Sequence, residues 1–182
     1  MKIVINPIYN LFILFLTLSF TSCEKDTPEI VEEQEVITTV TIEFKAADAS
    51  SQTFKWQMDQ ANTQTITLKT NTPYEVSIAF LDESDPGNVK VITEEVAEEA
   101  DEHQIFYEFS DVTVSYTSGE SDALDSNNNP VFIHSIWTAS STGTGFARAY
   151  LIHEPTTKSS TTRNGFGGET DVAIDIPITI VD

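Results

Sequence analysis

Residues 172–181 read VAIDIPITIV, and in them Val172, Ile174, Ile176, Ile178 and Ile180 alternate with Ala173, Asp175, Pro177 and Thr179. A period of two belongs to a strand with one buried face, whereas an amphipathic helix needs apolar residues three and four apart. The same period recurs upstream. It runs through Val36 to Phe44 (Val40, Ile42 and Phe44 inward), Thr53 to Met58 (Phe54, Trp56, Met58), Thr65 to Leu68 and Tyr74 to Phe80. It returns in Ile105 to Phe109, Val112 to Tyr116, Val131 to Thr138 and Phe146 to His153, which makes nine candidate strands. Asn71-Thr72-Pro73, Asp85-Pro86-Gly87-Asn88, Asn127-Asn128-Asn129-Pro130 and Asn164-Gly165-Phe166-Gly167-Gly168 punctuate them. Gly and Asn tolerate positive φ and Pro presets φ, so these clusters are turns. Short alternating strands without regular helices between them predict an all-β fold, an antiparallel Ig-like β-sandwich of about 8–9 strands. One segment differs. In Ile92 to His103 (ITEEVAEEADEH), Ile92, Val96, Ala100 and His103 form one helical stripe, which predicts a short helix with Thr93 as its cap.

The start of the chain carries a different signal. Met1-Lys2 precedes an apolar stretch of 13 residues, Ile8 to Phe20, and Thr21-Ser22-Cys23 follows. A basic start, an apolar core and small residues before a cut describe a secretory signal peptide, and 13 residues fall short of the roughly 20 that span a bilayer as a helix. Phe20-Thr21-Ser22-Cys23 resembles the bacterial lipobox, with Phe at its first position. The Cys23 thiol would accept the diacylglyceryl group and the freed amine a further acyl chain such as palmitate, and two or three chains hold stably where one does not. Residues 1–22 are thus expected to be signal, residues 23–35 a lipidated acidic tether and residues 36–182 the sandwich domain. Six carboxylates and one Lys lie between Glu24 and Glu35, too polar a segment to offset its own ordering entropy.

Without residues 1–22 the chain keeps 160 residues, with 8 basic against 29 acidic side chains, a net charge of −21. That length suits one domain with one core. Phosphate-rich partners are repelled by such a surface, which excludes nucleic acid. Cys23 is the only cysteine, so no intramolecular disulfide can form and stability must come from packing.

Glu99-Ala100-Asp101-Glu102-His103-Gln104, His153-Glu154-Pro155 and Gly167-Gly168-Glu169-Thr170-Asp171 before a strand, in a chain with an acidic tether, resemble a family of small lipoproteins from Bacteroidota, especially flavobacteria. The resemblance covers most of the chain after Cys23 and implies a phylum and an outer-membrane setting, without an activity. Some members carry a type 1 periplasmic-binding label, but that fold needs strands alternating with helices over a much longer chain. The chain departs from the family pattern after its second strand, where Asp59-Gln60-Ala61-Asn62-Thr63 replaces an Asp/Gly/Asn-rich loop. Glu24-Lys25-Asp26 is similar to the export signals that carry lipoproteins of this phylum to the cell surface, which favours the surface over the periplasmic face.

Three constellations could carry chemistry. Glu99 and His103 are four apart and meet on one helix face, and His153 could join them in a nitrogen and oxygen site for zinc, copper or iron. The competing reading is a wet acidic helix face. Asp122, Asp125 and Asn127 lie in a loop rich in the oxygen donors calcium prefers, without EF-hand spacing. Trp137, read as lying opposite the face of Phe132, could stack on a sugar. No nucleophile elbow, phosphate loop or metalloprotease motif is present, so no catalytic residue is assigned. The expectation is a lipid-anchored binding or accessory module of an outer-membrane or surface complex that handles a metal, with a carbohydrate-binding module as the alternative and a hydrolase behind both. Cys23→Ala is expected to abolish acylation and move the protein from membranes to the soluble fraction, as fractionation would show; retention on membranes after a high-salt wash would refute the anchor.

Overall fold

The computed structural model describes residues 35–47 and 50–182. The expected signal peptide, Cys23 and the tether as far as Gln34 lie outside the described residues. Ten strands and two short helices follow in order: β1 (Thr39–Ala46), β2 (Ser51–Gln57), β3 (Ile66–Lys69), β4 (Pro73–Asp82), β5 (Lys90–Val91), α1 (Ile92–Glu98), β6 (His103–Ser110), β7 (Val114–Ser118), β8 (His134–Ala139), β9 (Gly143–His153), α2 (Arg163–Phe166) and β10 (Glu169–Val181). The fold is an all-β sandwich. One sheet has the order β2-β1-β4-β8-β7 with β5 beside the far end of β4, and the other the order β3-β10-β9-β6. Each of the nine segments with period two forms a strand. β5 has only two residues and shows no periodicity, which is why the sequence does not announce it.

All pairings between named strands are antiparallel except one: β3 runs parallel to β10, with Ile66 opposite Ile178 and Leu68 opposite Ile180. The departure follows from the path of the chain, which leaves the first sheet after β2 and enters the second at its edge. Gln52 bridges that edge with its side-chain amide, donating to the Thr67 carbonyl at 2.6 Å and accepting from the Thr67 N–H at 2.9 Å. One side chain thus substitutes for a rung of ladder between the two sheets.

The core lies where the sequence alternation puts it for β1, β4 and β10: Val40, Ile42 and Phe44, Tyr74 to Phe80 on even positions, and Val172 to Ile180 on even positions are all buried. In two places the phase differs. Trp137, expected on an exposed face, is 0 % exposed. Phe132 and Ile136 suggest an inward row of even positions, but these two are only half-buried, and the buried row is Val131, Ile133, Ser135, Trp137 and Ala139. Trp137 forms the centre of an aromatic cluster, edge-on to Phe44, Tyr107 and Phe109 with centroids 5.4, 4.8 and 5.0 Å away. Its indole N–H donates to the Ser135 hydroxyl at 3.0 Å, which meets the demand of a buried polar group. Met58, expected inward, is exposed because β2 ends at Gln57 and the chain turns through Asp59 at φ 62°.

The helix α1 is shorter than its periodicity suggests. Ile92, Val96 and Ala100 are buried as a stripe, but regular helix stops at Glu98 and His103 opens β6. Thr93 does not cap it. Its hydroxyl accepts from the Phe80 N–H at 2.7 Å and donates to the Phe80 carbonyl at 3.2 Å, pinning the helix to β4. Among the described residues no helix is long and apolar enough to cross a membrane. With no disulfide available, Trp137→Ala is expected to cost about 3–5 kcal/mol, as removal of a large buried aromatic does, and urea unfolding followed by fluorescence would read it as a lowered midpoint.

Candidate metal centre

At one end of the second sheet, strand register gathers polar residues that belong to distant parts of the chain. His103 of β6 stands opposite His153 of β9, and His153 opposite Glu169 of β10. The two imidazoles stack with centroids 5.0 Å apart and planes 9° from parallel. Next to them β10 carries an irregularity. Thr170 pairs with Ile152 and Val172 with Leu151, so Asp171 is an extra residue in the ladder. A bulge of this kind turns a side chain that alternation would send outward, and bulges recur beside functional sites. Here it brings the Asp171 carboxylate to His103. The strand end is fixed by Gly168, at φ 62°, where a Cβ would stand 2.2 Å from the His153 carbonyl oxygen. Only glycine allows β10 to begin there.

The fourth contributor comes from ahead of β1. Glu35 Oε1 lies 2.7 Å from His103 Nε2, with the His103 side chain 0 % and the Glu35 side chain 6 % exposed. Assigned to the tether by sequence, Glu35 is packed into the domain, and the buried side chain of Ile37 holds the segment two residues further on. One ligand atom each from Glu35, His103 and Asp171 lies within 4.8 Å of the other two.

The tautomer of His103 follows from its other nitrogen. Nδ1 lies 3.2 Å from the Glu99 carbonyl oxygen, which can only accept. Nδ1 therefore carries the proton, and in the neutral ring Nε2 offers a lone pair toward Glu35. That arrangement, one nitrogen tied to a carbonyl and the other turned toward a carboxylate, is how proteins orient a metal-binding imidazole. At 2.7 Å the Nε2–Oε1 contact itself is met by a proton on Nε2, and a metal ion could take that proton's place only with the two atoms moved apart. The remaining oxygens are the unmet ones: Glu35 Oε2 and both oxygens of Asp171 are buried without a hydrogen-bond partner. Burial, with the nearby Glu35 charge, pushes the Asp171 carboxyl up to about 6, while the two histidines pull it down less strongly.

Lys158 braces the site from the long connection between β9 and β10. Its ammonium donates to the Ala100 carbonyl at 2.6 Å and to the His103 carbonyl. The Glu154 N–H donates to the Glu102 carbonyl at 2.7 Å, with Glu154 at φ 47°. The turn between α1 and β6 is thus held on both flanks, and the imidazole has little freedom to withdraw.

Of the residues singled out for a transition metal, His103 and His153 are brought together. The Glu99 side chain is exposed, and that residue acts through its main-chain carbonyl. Glu35 and Asp171 supply the carboxylates instead. The calcium reading fares differently. Asp122 Oδ2 accepts from the Phe132 N–H at 2.9 Å and the Ser118 hydroxyl at 3.2 Å, and Oδ1 from the His134 N–H at 3.0 Å. Asp125 accepts from the N–H groups of Asn127 and Asn129 and from the Asn129 amide, while Asn127 itself is exposed. These carboxylates close the loop upon itself, so their oxygens are already occupied by chain donors. Trp137, buried in the core, presents no surface to a sugar. No protein-family model matches the chain, and comparison with curated proteins and with solved structures finds no match.

Asp171→Asn removes a charge that burial and the neighbouring Glu35 disfavour more than the two histidines favour it. In protein stripped with chelator this substitution is expected to raise stability by about 1–3 kcal/mol, the scale of an unsatisfied buried polar group, read as a higher denaturant midpoint.

Proposed function

We propose that this chain is a lipid-anchored binding module that holds a divalent transition-metal ion on Glu35, His103 and Asp171, with His153 stacked behind the imidazole. The observation that carries the reading is the set of three buried carboxylate oxygens, Glu35 Oε2 and both of Asp171, left without partners around a histidine nitrogen already oriented by a carbonyl. Buried polar groups are normally satisfied, and a bound cation satisfies all three at once. One imidazole and two carboxylates form a borderline to hard donor set without thiolate, which suits Zn2+ or Fe2+ and disfavours Cu+. Ligand bonds of about 2.0–2.2 Å put neighbouring donor atoms roughly 3–4 Å apart, so the Glu35 to His103 contact would open by about an ångström on loading. Three protein ligands leave coordination positions for water or for a partner's side chain. That feature supports an accessory role beside an outer-membrane or surface complex, with the lipid on Cys23 keeping the module at the membrane.

Calorimetric titration of chelator-stripped protein with Zn2+ and with anaerobic Fe2+ tests the reading. A single site is expected, weakened at least tenfold by His103→Ala and by Glu35→Gln and unchanged by Glu99→Gln. No heat with either ion, or heat that survives His103→Ala, would end it.

A further inference from the structure

The outer face of the second sheet carries a pattern that the metal centre does not use, bounded at one end by a small buried cluster of Phe106, Ile152 and Phe166. Strand register aligns three rows across β6, β9 and β10. Ser110, Phe146 and Pro177 form the first, Glu108, Arg148 and Asp175 the second, and Phe106, Tyr150 and Ala173 the third. A charged row therefore lies between two rows that each carry aromatic side chains. Phe146 is 49 % exposed, a large aromatic side chain that the fold leaves in water. Tyr150 is half-buried, its ring stacked at 6.1 Å and 21° on Phe106, which in turn packs against Phe166 at 5.0 Å. Its body is therefore fixed, and its hydroxyl donates to Glu108 at 3.2 Å.

The middle row is ordered as well. Arg148 grips Asp175 through Nε and one terminal nitrogen, both at 2.5 Å, in a two-pronged pair with both side chains half exposed. A paired guanidinium keeps further N–H groups free, and the carboxylates keep lone pairs. Around Phe146 the residues Glu108, Ser110, Arg148 and Asp175 enclose a shallow depression of about 330 Å³.

We propose that this face is a binding site for an uncharged linear oligosaccharide, lying along β9 with sugar rings against Phe146 and Tyr150 and hydroxyls paired to Glu108, Arg148 and Asp175. A pyranose has an apolar C–H face and an equator of hydroxyls that both donate and accept, so it requires a flat aromatic surface beside fixed donors and acceptors. The face supplies both in alternation. Phe146 and Tyr150, four residues apart, stand about 13 Å from one another at the rise of a strand, which is longer than one ring and calls for a chain of sugars. Charge narrows the class. Two carboxylates against one guanidinium in the row, on a chain of net charge −20, repel uronic or sulfated glycans. The site is separate from the metal centre, which lies on the inner side of the same sheet, and does not rest on it.

The test is calorimetry on the full chain in detergent with cellohexaose, xylohexaose, mannohexaose and chitohexaose, beside an alginate oligomer of similar length. Binding of at least one neutral hexaose is expected, with no heat from the alginate. Phe146→Ala and Asp175→Ala should each weaken binding at least tenfold while the melting temperature and zinc binding stay unchanged, since both side chains are half exposed. Absence of heat with every neutral hexaose, or affinity indifferent to Phe146→Ala, would overturn the proposal. Self-association that is lost with Phe146→Ala in sedimentation would assign the face to a second copy of the chain and overturn it equally.

Discussion

The buried imidazole of His103 is the interaction on which the rest of this end of the molecule depends. It is fully enclosed, tied through one nitrogen to the Glu99 carbonyl and faced through the other by Glu35. Taking this imidazole and the carboxylate oxygens of Glu35 and Asp171 out of water costs several kcal/mol per uncompensated ion. A core built for stability alone would fill this place with a leucine. The fold instead devotes four separate segments to it: the stretch before β1, the start of β6, the end of β9 and a bulge in β10. That convergence of local irregularities on one point is the strongest structural argument that the point is functional.

The remainder of the domain makes such a site affordable by being regular. With no disulfide possible, stability comes from two continuous rows of β-branched and aromatic side chains that meet around Trp137. The edge between β2 and β3 is closed by the Gln52 amide, and α1 is tied to β4 through Thr93. These contacts hold β6, β9 and β10 in register, and register is what places His103 opposite His153 on one side of the sheet and Arg148 between Glu108 and Asp175 on the other. A slip of one residue would send each of these side chains to the wrong face.

The sandwich was legible in the sequence because period two is a direct consequence of strand geometry, and VAIDIPITIV is nearly free of competing readings. Phase proved harder than period. In Val131 to Thr138 apolar residues occupy both parities, so Trp137 could be read outward although it anchors the core. The two histidines were legible as ligand types, but their carboxylate partners were not. Glu35 is one of six acids in a polar run, and nothing in its neighbouring residues sets it apart from the other five. Asp171 reaches the site through a bulge, a feature of strand pairing that one strand's sequence cannot display, although Gly167-Gly168 just before it marks a place where backbone must approach closely. Glu99 stands at helical spacing from His103, but the helix ends at Glu98, before that spacing applies.

X-ray absorption at the zinc edge of the loaded protein reads the ligands of the ion directly. Nitrogen and oxygen neighbours at about 2.0–2.1 Å, with the outer scattering of an imidazole and no sulfur, are expected, and the imidazole signal should be lost in His103→Ala. A shell of oxygen alone, unchanged by that substitution, would contradict a metal centre built on His103.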